Sequence, residues 1–423
     1  MARLKRELSL FSATMLGVAI IVGAGIYALI GRAAGIAGDA AWLSFVVSAV
    51  VAGFTGLSYA ELSSMFPRAG SSYTYIRHAF KNDALAFLAG WLIAFELIFS
   101  VAAVALALAG YAAAILPVGA LAAAVASIAV FSAINMLGIR ESERINNVLV
   151  FVEVGGLVAI IALGFLLGAR SPNLAAFDFG AVAQAAGLVF FAYIGFEAIA
   201  VESEETRVPR KTIPRAILLA VGITAVLYSL TAIAAAKLVP PEVLASSSAP
   251  LKEAVSAAIG PLAGTVLAVV AIISAATTIL VCLVTGSRLL YGMAREGSLP
   301  GALAEVNRRF RTPHYAVLAA GLLAVAFLAF GDIRDIAELT NFGALVAFFM
   351  VNAGVVKLRL SDPRAEREFR IPFSVKNVPV PAVLGAATCV WLLLQLSTKI
   401  LGAAAILLLV GAAAYWLGKK NKK

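Results

Sequence analysis

Charge is scarce in this chain. Lys, Arg, Asp and Glu make up 13% of its 423 residues, about half the roughly 25% typical of soluble domains. With 62% of residues hydrophobic, there is too little polar surface to wrap a soluble core of this size. Only two cysteines, Cys282 and Cys389, are present. Both fall inside apolar runs, which excludes a disulfide scaffold and leaves them as small core residues. Two histidines, His78 and His314, are too few for a histidine metal centre. No phosphate-binding loop, metal-spaced cluster or catalytic-triad pattern occurs. The one lookalike glycine spacing, Gly17 to Gly25, lies in an apolar helix rather than after a strand. These absences argue against an enzyme, and no cofactor or metal is expected.

What the chain has instead is apolar runs of about 20 residues, the length that spans a bilayer. Twelve are readable, at approximately 10–35, 40–66, 82–116, 119–137, 146–169, 180–203, 214–238, 261–291, 313–330, 336–359, 380–396 and 399–417. The expected fold class is an all-α polytopic membrane protein with 12 transmembrane helices. A net charge of +10 could suit a nucleic-acid binder, but its distribution speaks against one. With both termini cytoplasmic, all Lys and Arg except Arg32, Arg170, Lys237, Lys252, Arg334 and Lys399 fall on the inner side. Arg3/Lys5/Arg6, Arg207/Arg210/Lys211/Arg215, Arg308/Arg309/Arg311, Arg364/Arg367/Arg370 and Lys419 to Lys423 form the inner clusters. The basic excess is thus an orientation signal with some attraction to anionic lipid. The expected location is the cell membrane, with membrane lipid as a partner and no nucleic acid. The first run follows basic residues, as a signal peptide would, but it is longer than a signal core and reads as an uncleaved helix.

Two of the runs carry interruptions. In segment 1, Val22-Gly23-Ala24-Gly25-Ile26-Tyr27 puts three small residues in a row, two of them glycine, where a helix is cheap to unwind. In segment 6, Phe190-Phe191-Ala192-Tyr193-Ile194-Gly195-Phe196-Glu197 holds the second interruption, at the single glycine Gly195. Unwound backbone at membrane depth is tolerated where it lines a cavity or is buried in protein. Segments 1 and 6 enter from opposite faces, the pattern of an inverted-topology repeat with a binding site where the breaks meet. The expected organisation is a first five-helix repeat over 8–170, a second over 176–360, and peripheral helices 11 and 12 over 372–417. Amides freed at the start of a half-helix suit an anion, and carbonyls freed at the end of another suit a cation. Together they suit a zwitterion, and an amino acid is the natural guess. Glycines used only for close helix packing are the plainer alternative.

Glu96, Glu153 and Glu197 lie inside apolar segments, where an ionisable side chain points to function by default. Each could hold a proton or a coupling ion, or could hydrogen-bond free backbone of a neighbouring helix. Ser274, Thr277 and Thr278 in segment 8 could offer hydroxyls to an ion or to Glu153, or bond back to their own helix. Phe191 and Tyr193 flank the second break, where an aromatic can close over a ligand as a gate. Glu61, Glu202, Glu204 and Glu205 lie near Arg-rich inner-face stretches and suit a salt-bridge network at an inner gate. Asp39, in a short outer loop, reads as a helix cap.

Five stretches together resemble the amino acid–polyamine–organocation superfamily of transporters. They are Gly23-Ala24-Gly25-Ile26-Tyr27; Ser58-Tyr59-Ala60-Glu61-Leu62 with Phe66-Pro67-Arg68-Ala69-Gly70; and Tyr193-Ile194-Gly195-Phe196-Glu197. To these add Glu204-Glu205-Thr206 through Pro209-Arg210 to Ile213-Pro214-Arg215, and Ser287-Arg288 through Tyr291 to Gly297. The resemblance covers segments 1 to 10 and weakens over the last two. It implies a LeuT-type 5+5 inverted repeat with discontinuous helices 1 and 6, rocking between outward and inward states. It implies a substrate carboxylate on the amides of Ala24, Gly25 and Ile26, beside Gly23. The ammonium would meet carbonyls of Ile21 and of Phe191 or Ile194, next to Ala192, with Phe191 as gating aromatic. Relatives in the proton-coupled, cationic-amino-acid-transporter-like branch carry a lysine in helix 5 where this chain has Glu153. A carboxylate reverses the sign of that site. It could be carried protonated, could recruit a cation with Ser274, or could mean simple exchange. The function implied is a proton-coupled permease for small neutral amino acids. Its alternatives are an exchanger of cationic amino acids or polyamines, with Glu96 as acidic partner, and a transport-inactive amino acid sensor.

Overall fold

A computed structural model of the chain describes residues 8–67, 71–138, 143–201, 203, 206–295 and 297–420. It begins with α1 (Leu10–Val22), α2 (Ala24–Ala37), α3 (Ala41–Met65), α4 (Ser71–Phe80), α5 (Asp83–Ala113), α6 (Ala120–Leu137) and α7 (Glu143–Leu167). There follow α8 (Phe179–Val189), α9 (Ala198–Val201), α10 (Pro209–Leu238), α11 (Pro241–Ser246), α12 (Pro250–Ile259), α13 (Pro261–Arg295), α14 (His314–Phe327) and α15 (Ile333–Ser361). Last come α16 (Val380–Leu393) and α17 (Thr398–Lys420). Among the described residues, 9 helical stretches are long and apolar enough to cross a membrane. Three shorter apolar ones, Leu10–Val22, His314–Phe330 and Val380–Leu393, accompany them. The protein is a polytopic, essentially all-helical membrane protein. The basic 360–378 linker adds a small exception, a hairpin pairing Ser374–Val375 with Val378–Pro379 across Lys376 and Asn377, both at positive φ.

Segment 1 is interrupted at a single residue. Gly23 ends α1 and precedes α2 with φ −35° and ψ −166°, and a Cβ there would collide with the Thr278 hydroxyl of α13. Unwinding anticipated across Gly23–Gly25 is therefore narrower, since Gly25 is already helical. Segment 6 unwinds over a longer stretch. After α8 come a 3-10 turn at Phe190–Tyr193, an extended Ile194 (ψ 140°) and Gly195 at φ 120°, before α9 resumes at Ala198. That φ is open to glycine and strained for other residues.

The two broken segments lie against each other in opposite directions. Leu8 bridges to Thr206, Gly17 faces Ile199, Ile20 faces Gly195, and Gly25 abuts Ala192. Small buried residues along α5, among them Ala102, Ala103, Ala105 and Ala109, let the neighbouring helices close in.

The two ends of the bundle are held differently. At the end where α2 meets α3, Asp39 is not the helix cap expected of it: it lies within the 3-10 turn Gly38–Ala40, and its side chain caps neither that turn nor α3. Its carboxylate takes Arg170 Nη1 at 2.5 Å and Nη2 at 3.0 Å, plus the Asn173 N–H at 2.9 Å. Between α10 and α13, the chain through α11 and α12 lies over two glycines. The Leu244 carbonyl rests on Gly31, and the Ser248 carbonyl would stand 2.7 Å from a Cβ at Gly110. At the opposite end, Glu61 is buried (side chain 1% exposed) against Arg359 (0%) of α15. Arg359 Nε and Nη2 donate to Glu61 Oε1 and Oε2 at 2.6 and 2.7 Å, the Arg367 guanidinium stands 3.0 Å away, and the Ile371 N–H donates at 2.9 Å. Glu61 thus joins the ion-pair network expected of it, with α15 and the linker as partners. Glu202, Glu204 and Glu205, Arg3/Lys5/Arg6, Arg68-Ala69-Gly70, Glu296 and residues 421–423 lie outside the described residues.

Candidate functional site

A cavity of about 1070 Å³ opens where the two interruptions meet. Ile21, Gly23, Gly25, Phe191, Ile194 and Gly195 form its deep part. From there it reaches the Glu61 end of the bundle, where Leu8, Ser12, Tyr291 and the exposed Arg288 and Arg311 line it. On the other side the chain is closely packed. The Tyr111 hydroxyl donates to the Tyr27 carbonyl at 2.9 Å, and the two rings meet edge to face at 6.3 Å.

Main-chain polarity is concentrated at the breaks. The first turn of α2 starts at the cavity wall, where its leading N–H groups have no intrahelical partners and carry the positive end of the helix dipole, and among the described residues no side chain caps it. Facing the same gap are the last carbonyls of α1 and those of the 3-10 turn. Their occupancy differs. The Phe191 carbonyl takes the Ile194 N–H at 3.3 Å. The carbonyls of Ile21 and Ala192 both accept from the Tyr228 hydroxyl of α10, at 2.6 and 3.1 Å. Close approach makes this geometry possible, for a Cβ at Gly25 would stand 2.7 Å from Ala192 Cα.

Glu153 projects from α7 toward the Gly23 break and lines the cavity while only 2% exposed. Thr277 Oγ1 lies 3.0 Å from Glu153 Oε1 and 2.9 Å from the Ser274 carbonyl. A hydroxyl has one proton to give, so Thr277 either shares it between the two acceptors or gives it to the Ser274 carbonyl and accepts one from a protonated Glu153. Thr278 bonds back to the Ser274 carbonyl at 2.9 Å, the local fate anticipated for these hydroxyls. The Ser274 hydroxyl oxygen is buried without a hydrogen-bond partner among the described residues. Tyr27 completes the group by donating to the Glu153 main-chain carbonyl at 3.0 Å.

Glu96 of α5 and Glu197, after the second break, also line the cavity, together with Cys282 of α13. Glu197 accepts the Gly195 N–H at 2.9 Å, so it caps backbone freed by the interruption. The structure therefore gathers Ile21, Gly23, Gly25, Phe191, Ile194, Glu96, Glu153, Glu197, Thr277 and Thr278 on one cavity. Ile26, Ala192, Tyr193 and Ser274 are buried behind that lining. Tyr193 stacks edge-on against Tyr228 at 5.2 Å between ring centres, a packed position rather than one over the cavity. Sequence reasoning missed Tyr228, Tyr111 and Arg359. A polar side chain inside an apolar run was the available signal for each, and for Arg359 it was a strong one.

The family model described as amino acid permease matches residues 8–415. The branched-chain amino acid permease BcaP of Bacillus subtilis is 32% identical, across 99% of this chain and 94% of its own. A methylthioribose transporter of the same organism is 30% identical, across 98% and 93%. The mouse cationic amino acid transporter 4 is 31% identical, across 84% of this chain and 60% of its own. Uninterrupted coverage of the helical bundle, with both broken segments inside the match, leaves one assignment: the chain belongs to the amino acid permease family of the amino acid–polyamine–organocation superfamily, and is a membrane transporter rather than an enzyme.

Proposed function

We propose that the protein carries small neutral amino acids across the cell membrane by alternating access, coupled to protons. The observation that carries this reading is the meeting of two interrupted segments in one cavity, with free N–H groups on one wall and carbonyls on the other. A carboxylate fits the first and an ammonium the second. Around them the lining is apolar, through Ile21, Leu97, Phe191 and Ile194, which favours an uncharged side chain. The branched-chain permease among its relatives points the same way.

In this reading the 12 spans form a 5+5 inverted repeat over 8–170 and 176–360, with 372–417 peripheral. Both termini are cytoplasmic, as the distribution of Lys and Arg favours. The cavity then reaches the cytoplasmic face, and the conformation is inward-facing. Ala24, Gly25 and Ile26 hold the carboxylate, Phe191 closes over the bound solute, and Glu153 carries the proton. The shared Thr277 hydroxyl accommodates a protonated Glu153.

Purified protein in vesicles, loaded with labelled alanine or leucine, tests the substrate class. Unlabelled neutral amino acids are expected to compete, and arginine and putrescine are not. Ligand at 100 times its Kd should also stabilise the folded state by about 2.7 kcal/mol in thermal unfolding. Glu96 and Glu197 on the cavity wall favour a second reading, an exchanger of cationic amino acids or polyamines. Stronger competition by arginine or putrescine would select it.

The coupling role of Glu153 has its own test. Uptake by the wild type should rise as external pH falls and ignore sodium. Glu153→Gln should flatten that pH dependence while leaving solute binding within a few-fold. An unchanged pH profile in the variant removes Glu153 from coupling.

A further inference from the structure

We propose that the groove between α15 and α16 is a binding site for an anionic phospholipid, with one acyl chain in the groove and the phosphate on the Lys357 ammonium. The inference is independent of the solute and of the coupling proton, and needs only that the chain spans a membrane.

The groove has a volume of about 580 Å³. Ala353, Val356 and Leu360 of α15 form one wall, and Val383 and Ala386 of α16 the other. Spacings of three and four residues put each set on one helix face. Polar contacts behind the groove fix its walls. A Cβ at Gly385 of α16 would stand 2.8 Å from Asn352 Oδ1, and the buried Asn352 accepts from Ser58 at 2.6 Å and donates to Thr55 at 3.0 Å. The two helices are thus pinned at Gly385, while the short side chains of Ala353 and Ala386 next to that contact leave a hollow. A preformed hollow takes a flexible chain at less cost than one that must first open. Lys357 is the one charged residue in the lining, a turn before α15 ends at Ser361. Its ammonium stands 4.8 Å from the centre of the Phe80 ring and has no carboxylate partner among the described residues. Lys81, next to Phe80, and Arg364, shortly after Ser361, are exposed as well. Of the acids flanking them in the chain, Asp83, Glu366 and Glu368 pair with Arg77, Arg210 and Lys211. Asp362 alone is left to offset Lys357, Lys81 and Arg364. An apolar trough with positive charge at one end matches the polarity of an anionic phospholipid, and basic pockets between spanning helices suit its headgroup. A zwitterionic lipid fills the hollow as well, but its own cation offsets the attraction of its phosphate to lysine.

That difference gives the test. The full chain in detergent is offered equal amounts of phosphatidylglycerol and phosphatidylcholine with the same acyl chains, and retained lipid is read by native mass spectrometry. Wild type is expected to hold phosphatidylglycerol about fivefold over phosphatidylcholine, the worth of one lysine near an anionic headgroup. Lys357→Gln, a change at an exposed side chain, should bring that ratio to about one. Ala386→Phe fills the hollow and should lower retention of both lipids by roughly threefold or more. Should Ala386→Phe not yield folded protein, Ala353→Leu is read in its place. Arg308→Gln, exposed in a different basic stretch, is the control and should keep the wild-type ratio. Equal effects of Lys357→Gln and Arg308→Gln mean a general attraction to basic surface and overturn the proposal. A wild type without preference overturns it too, as does a filled groove that retains lipid like wild type. A dimer that Ala386→Phe converts to monomer, with bound lipid unchanged, assigns the groove to a second copy of the chain and likewise overturns it.

Discussion

Gly25→Ala is expected to weaken solute binding by roughly 5- to 150-fold, the equivalent of about 1–3 kcal/mol of overpacking. The added methyl group would stand 2.7 Å from Ala192 Cα and 2.9 Å from Ala192 Cβ. Neither atom is the end of a flexible side chain, so the 3-10 turn itself must retreat. In retreating it separates the Ala192 carbonyl from Ile21 and opens the gap across which, in the proposed reading, the solute is held. Gly53→Ala is the control, because a Cβ there has nothing within 4 Å. It should bind and transport like wild type, slightly stabilised if anything, since alanine is the better helix former. Equal binding by the two variants would mean that the contact between the interruptions plays no part in holding solute.

Glu61→Gln should cost the folded protein about 3–5 kcal/mol, read as a fall in thermal stability and in the yield of folded protein. Arg359 is completely buried and pairs in bidentate fashion with Glu61 at 2.6 and 2.7 Å. Glutamine keeps the shape but leaves the guanidinium in the interior without its counter-charge, which is the expensive state. Arg359→Gln strands the carboxylate instead, although Arg367 at 3.0 Å still neutralises part of it, so its cost should be smaller. A double Glu61→Gln/Arg359→Gln chain should lose no more than the worse single variant. Strictly additive losses would show that the two side chains are not coupled.

Much of this was legible in the sequence because the bilayer leaves few choices. Long apolar runs can be little else than spanning helices, and glycines inside them mark where a helix can stop. Gly195 was readable for that reason, and its φ of 120° is one that other residues rarely adopt. The motif around Ser58-Tyr59-Ala60-Glu61 pointed to an acidic group facing basic neighbours, which it does. Less legible was which neighbour. Arg359 is 298 residues from Glu61, and local periodicity says nothing about such a distance. Tyr228 is harder still, since a tyrosine in an apolar helix looks the same whether its hydroxyl reaches an interface or two carbonyls of other segments. Asp39 was read from its own loop as a cap, and only the fold could bring Arg170 to it. The extent of each interruption also escaped the pattern. Two glycines suggested a wide opening in segment 1, yet backbone geometry changes at Gly23 alone, because Gly25 serves to admit Ala192.

The antiparallel contact of the broken segments restricts how they can move. Ile199 occupies the notch of Gly17, Ile20 that of Gly195, and Ala192 that of Gly25. Axial slip by one residue, about 1.5 Å, would drive three side chains out of their slots at once and set methyl groups against backbone. The pair resists sliding like a key in its wards, whereas a tilt of both segments together keeps the three notches filled. Any joint tilt of the pair is thus taken up outside it, where the broken segments pack against α3, α7 and α10.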